Sequence, residues 1–94
     1  MDIVINACYG EFSLSDEALK MLGASSTEEC CFDDEDRCNP SIIKCIRKLG
    51  ERANGPYAKL QIVTIPDENT DWHILDEDGY ETLVYVVNGK IHYI

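Results

Sequence analysis

Residues 39–56, NPSIIKCIRKLGERANGP, carry the clearest structural instruction in the chain. Asn-Pro is a helix start: Asn39 caps the first turn, and Pro40 sits where its missing N–H is not needed. Ile42, Ile46, Leu49 and Ala53, with Ile43 beside them, fall on one stripe at helical spacing, and Lys44, Arg47, Lys48, Glu51 and Arg52 fall opposite. The spacing predicts a helix from Pro40 to Ala53, halted by Asn54-Gly55-Pro56.

The surrounding segments read as one further short helix and five strands. Ser15 is an N-cap followed by Asp16 and Glu17, whose carboxylates suit the positive end of a helix dipole, so a helix is predicted over residues 16–22 with Gly23 as its stop. Residues 24–37 are polar and read as a loop. Residues 2–8 (DIVINAC) read as a strand, and the run Ile3-Val4-Ile5 suits a strand covered on both faces. Strands are also predicted at residues 60–65, ending at Pro66, and at residues 72–75. The last two, 82–87 and 90–94, flank Asn88-Gly89, the favoured two-residue hairpin turn. That turn pairs Val86 with Ile91 and Val84 with Tyr93, a face expected to meet the core. Leu83, Tyr85, Val87 and Ile94 then lie on the outer face, which needs a cover, so a homo-oligomer with its interface at these residues is expected. The expected architecture is a single α+β domain over residues 1–94. It has two layers, with a small mixed or antiparallel sheet in the order β-α-α-β-β-β-β packed by one long and one short helix.

Charge narrows the function. The chain has 94 residues and a net charge of −10, so the phosphate backbone of nucleic acid repels it and direct DNA binding is not expected. The charge is unevenly spread: residues 37–59 net +5 and the remainder −15. No apolar run is long enough for a membrane span, and the first residues, MDIVINACYGEF, lack the basic start of a secretion signal. The five cysteines are therefore expected to stay reduced inside a cell.

The densest cluster of chemical groups is EECCFDDEDRC, residues 28–38. A zinc set drawn from Cys30, Cys31, Cys38 and Cys45 lacks any C-x-x-C pair, so zinc binding is a further alternative and no metal or cofactor is expected. A calcium loop starting at Asp33 or Asp34 lacks the required Gly and Glu. His73, His92 and Cys8 form no recognised catalytic motif, so no enzyme is expected. Two binding readings remain. In the first, Asp33, Asp34, Glu35 and Asp36, with the acidic stretch 67–81, occupy a basic surface of another protein. In the second, Asn39, Lys44, Arg47, Lys48 and Arg52 hold a phosphate-bearing nucleotide in an oligomer.

Three segments carry a resemblance. YGEFSLS (9–15), NPSIIKCIRKLGERANGPYAKLQIVTIPD (39–67) and WHILDEDGYE (72–81) resemble a family of small proteins common in bacteriophage genomes. That family carries a YGGFxLS-like element, a D-P-x-L-I helix ending in LGxxANG, a strand ending in IPD, and a W-x-I-x-x-Y-D-G-x-E stretch. This chain departs from the pattern at Glu11, Asn39 and Glu77, and in its hairpin over residues 82–94. The resemblance implies a viral origin, and it supplies no activity. Joined to the absence of catalytic motifs, it leads to the expectation of a counter-defence or host-takeover protein in the host cytoplasm, binding and inhibiting a host protein. The alternative is a sponge for a nucleotide immune signal.

Overall fold

The computed structural model describes residues 1–94. In chain order the elements are β1 (Asp2–Asn6), α1 (Asp16–Leu22), α2 (Thr27–Cys30), a 3-10 helix (Asp34–Cys38), α3 (Pro40–Leu49), a 3-10 turn (Gly50–Ala53), β2 (Leu60–Thr64), β3 (Asp71–Glu77), β4 (Tyr80–Val87) and β5 (Lys90–Tyr93).

The local signals act as their chemistry requires. Ser15 Oγ accepts the Ala18 N–H at the start of α1, and Gly23 ends that helix in the left-handed region. Asn39 Oδ1 accepts the Ser41 N–H, with Pro40 at the first position of α3. α3 is shorter than its apolar stripe: the α-helix ends at Leu49, and the stripe reaches Ala53 through a 3-10 turn. The 24–37 region is not a plain loop. Ser26 Oγ accepts the Glu29 N–H and caps the single turn of α2, while the Asp36 carboxylate accepts the N–H groups of Phe32 and Asp33. Short polar side chains bonding to nearby backbone build this structure without any apolar periodicity to announce it.

The α+β class is as the sequence reads, but the strands form two antiparallel sheets, β1-β2 and β3-β4-β5, instead of one. Pro66 offers no N–H for a ladder, and the turn at Asp67–Thr70 redirects the chain between β2 and β3. β1 lies between two apolar clusters. Val4 joins Leu14, Ala18, Ile42, Ile46 and Leu49 on the helix side. Ile3 and Ile5 join Val63, Ile65 and Leu83 on the side of the three-stranded sheet. The two-stranded ribbon is thus sandwiched between helices and sheet, which is why Ile3, Val4 and Ile5 are all buried.

The hairpin register is as expected, with Val86 opposite Ile91 and Val84 opposite Tyr93. Its orientation is reversed. Leu83, expected at an oligomer interface, is fully buried against the ribbon, and Tyr85 packs against the same cluster, with its ring stacked on His92 at 5.1 Å. Val87 is half-buried and Ile94 is exposed. The faces exchange because β3 brings Trp72 opposite Tyr85 and Ile74 opposite Leu83, which makes that face the richer in large apolar groups.

Candidate protein-binding surface

The reversal leaves the other face of the β3-β4-β5 sheet open. Alternation places His73 and Leu75 of β3, Val84 and Val86 of β4, and Ile91 and Tyr93 of β5 on it. Val84 on the central strand is covered by its neighbours, but Leu75, Val86, Ile91 and Tyr93 are 49%, 39%, 59% and 66% exposed. Tyr80 continues the same face, and its ring lies 5.1 Å from that of Tyr9, itself exposed. Val84, Val86, Ile91 and Tyr93 adjoin one another on this face, with His73 and Thr82 between them and Leu75. Exposed apolar groups gathered in this way are of the kind that mark interaction sites.

Carboxylates lie along its β3 side and the adjoining turns: Asp71 and Glu77 share the open face, and Asp76 lies on the opposite one. Asp67, Glu68, Asp71, Asp76, Glu77 and Asp78 are exposed, and none stands in an ion pair. Asp76 Oδ1 accepts the Gly79 N–H at 2.8 Å and Asp67 Oδ1 the Asn69 N–H at 2.9 Å, so both hold turns while keeping their charge outward. Lys90 is the sole lysine or arginine on the three strands.

The second acidic segment lies elsewhere. Asp33, Asp34 and Glu35 are exposed, whereas Asp36 is half-buried and occupied with its own loop. Next to it, hydrogen bonds from the Ser25 side chain and backbone hold the Glu29 carboxyl below the usual carboxylate range.

The basic face of α3 is partly spent within the chain. Arg47 bonds Asp2 at 2.7 Å and Arg52 bonds Glu17 at 2.9 Å. Asn39 is engaged as the helix cap, leaving Lys44 and Lys48 as the cations without a carboxylate partner. Of the five residues read as an anion site, Arg47 and Arg52 thus have carboxylate partners in exposed ion pairs and Asn39 caps the helix.

No group of three or more His, Cys, Asp or Glu side chains is arranged to hold a metal ion. Cys30 and Cys31 sulfurs lie 3.9 Å apart, but Cys38 Sγ turns to the Glu35 carbonyl and Cys45 Sγ to the Ala18 carbonyl, so the four thiols of the zinc alternative do not meet. Burial, reinforced by the neighbouring Cys30, pushes the Cys31 thiol up to about 12, and burial also raises Cys45. Thiols so shifted are poor nucleophiles at neutral pH. The Cys8 thiol faces Asn6 Oδ1 and the Tyr57 carbonyl, with no histidine beside it.

One buried polar network was not legible in the sequence. Arg37 grips Glu81 through two bonds, 2.6 and 2.8 Å, with the guanidinium 3.5 Å over the Phe12 ring. Glu81 Oε1 also accepts the Asn6 N–H at 2.7 Å. The Asn6 side chain in turn donates to the Gly79 carbonyl and accepts from the Lys59 N–H. Beside the network lies a cleft of about 710 Å3, whose walls include Phe12, Ser13, Cys31 and Tyr57. The segments YGEFSLS, NGPY and DEDGYE meet here. Their glycines permit the approach: a Cβ at Gly79 would fall 1.6 Å from the Gly10 carbonyl oxygen, and one at Gly10 would fall 2.0 Å from that of Tyr57. The motif segments thus weld three loops to β1; of the cleft's charged lining, Arg37, Glu81 and Asp76 are bonded within the chain, while the Glu11 and Glu28 carboxylates are not.

No protein-family model matches the chain, and neither a curated protein nor a solved structure does. No helix is long and apolar enough to cross a membrane.

Proposed function

We propose that this is a non-enzymatic, virus-encoded binding protein that occupies a basic surface of a host protein in the host cytoplasm and thereby inhibits it. The supporting observation is the state of its charge: only three of the 18 acidic side chains stand in ion pairs. The rest are concentrated at 28–36 and 67–78, and most are exposed, though Glu29, Asp36, Asp67 and Asp76 also accept local N–H groups. An arrangement of that kind accelerates encounter with a positive surface and selects against acidic partners. The viral element rests on the resemblance of residues 9–15, 39–67 and 72–81. The competing nucleotide reading loses Arg47 and Arg52 to internal ion pairs, and the remaining pair of lysines is set against a strongly negative chain.

The test is affinity purification from bacterial extract with wild type and two neutralised variants, D33N/D34N/E35Q and D67N/E68Q/D71N. A basic protein should be enriched by wild type, released by raised salt, and lost from at least one variant. Equal recovery with both variants would refute the acidic contact.

A further inference from the structure

The cleft beside the buried network carries an unmatched charge. Its volume of about 710 Å3 lies within the usual span of ligand sites, about 300–1,000 Å3. Four carboxylates line it, those of Glu11, Glu28, Asp76 and Glu81, against the single guanidinium of Arg37. Arg37 and Glu81 neutralise each other through their two bonds. Asp76 stands opposite Glu81 in the β3-β4 register and commits only Oδ1, to the Gly79 N–H. The Glu11 and Glu28 carboxylates are in no ion pair. The lining therefore nets −3, with no lysine in it. A concave surface of one sign concentrates its field and gathers cations.

The lining also limits which cation fits. No three of its carboxylates and thiols are arranged to grip a bare metal ion, so the match is an extended cation with several donors. Arg37 shows how this wall treats such a group: it gives two N–H bonds to one carboxylate and lies 3.5 Å over the Phe12 ring. The same pair of features recurs uncovered at Tyr57 and Glu11. The Glu11 N–H donates to the Tyr57 carbonyl, and the Tyr57 side chain belongs to a residue 81% exposed. A guanidinium forks onto carboxylates and stacks on aromatic faces, whereas an ammonium is a compact, strongly hydrated point charge. We infer that this cleft receives an arginine side chain of the basic partner protein, held by the Glu11 and Glu28 carboxylates with the Tyr57 ring as its stacking surface. The inference rests on the protein-binding reading above and gives one basic side chain of that partner a defined seat.

The probe is the tripeptide Gly-Arg-Gly, blocked at both ends and titrated into isotope-labelled protein at physiological salt, with amide shifts followed by NMR. Shifts should centre on Glu11, Phe12, Glu28, Tyr57 and Gly79. A citrulline counterpart, which keeps the shape and loses the charge, should leave them unmoved, and a lysine counterpart should bind more weakly. E11Q/E28Q removes two charges that stand in no ion pair, so its melting should match wild type while binding of the arginine peptide weakens by about tenfold. Should the double change destabilise the chain, Glu11→Gln alone carries the same test. Unchanged binding to these variants would overturn the inference. So would equal shifts at residues 33–35 and 67–71, the mark of general attraction to an acidic chain. Equal binding of the lysine peptide, or no shift at all, would overturn it as well. Each of these outcomes leaves the wider reading standing, since that reading falls only if D33N/D34N/E35Q and D67N/E68Q/D71N both recover the partner in full.

Discussion

Replacing Arg37 by Met tests whether the buried network holds the fold together. The Arg37 and Glu81 side chains are only 12% and 5% exposed, so removing the guanidinium strands a carboxylate with the Asn6 N–H as its remaining hydrogen-bond donor. Breaking one half of such a pair costs about 3–5 kcal/mol, against a total stability of about 5–14 kcal/mol for a domain of this size. At about 4–8 °C per kcal/mol, even a loss of ~3 kcal/mol lowers the melting midpoint by about 12–24 °C. Urea titration followed by Trp72 fluorescence and far-UV circular dichroism measures it directly. Glu81→Gln in the Arg37→Met background keeps an acceptor for Asn6 while removing the stranded charge. The double variant should therefore recover about 1–3 kcal/mol relative to additivity. A loss below about 1 kcal/mol for Arg37→Met, the scale of an exposed ion pair, would refute the reasoning. So would a strictly additive double variant.

Two further outcomes follow from other parts of the molecule. Gly79→Ala should cost about 3 kcal/mol or more, because its Cβ meets the Gly10 backbone at a φ of 87°, whereas Gly89→Ala at φ 77° has open space and should cost only the ~1–2 kcal/mol of left-handed backbone; equal losses in urea melts would contradict this. Cys31 gives a pH dependence: its thiol is raised to about 12 in the fold, so the unfolded chain binds fewer protons above pH ~9. Its contribution to stability is then fully present below pH ~8.5 and falls as pH rises towards 12, and Cys31→Ala should flatten the alkaline limb of the stability curve; an unchanged limb would count against the assignment.

What the sequence discloses is what local chemistry governs. Ser15, Asn39-Pro40 and Asn88-Gly89 act within a few residues of themselves, so the two helix starts and the hairpin register could be read directly. The run Ile3-Val4-Ile5 also announced a strand covered on both sides, since three consecutive apolar residues cannot all face one way. The orientation of the hairpin was not readable. Both faces of residues 82–94 are apolar, and the choice between them depends on Trp72 and Ile74 arriving from β3. The same limit hid Arg37–Glu81, partners separated by 44 positions, and the pairing of Arg47 with Asp2 and of Arg52 with Glu17. The acidic stretch was readable as composition, but its relation to an open apolar face needed the fold.

The position of β1 has a consequence for how the chain comes into being at the ribosome. Its first strand pairs with residues 60–64, and Ile3 and Ile5 rest on Leu83. The helices can cover only Val4; while nothing beyond them has been synthesised, the side carrying Ile3 and Ile5 stays open and the strand unpaired. Most contacts of β1 are distant in sequence, which makes assembly slow relative to helix formation. Ile3 and Ile5 therefore stay bare until β2 and β4 have been made. A product that stops before Leu83 keeps the helix-side cluster but leaves Ile3 and Ile5 without their cover.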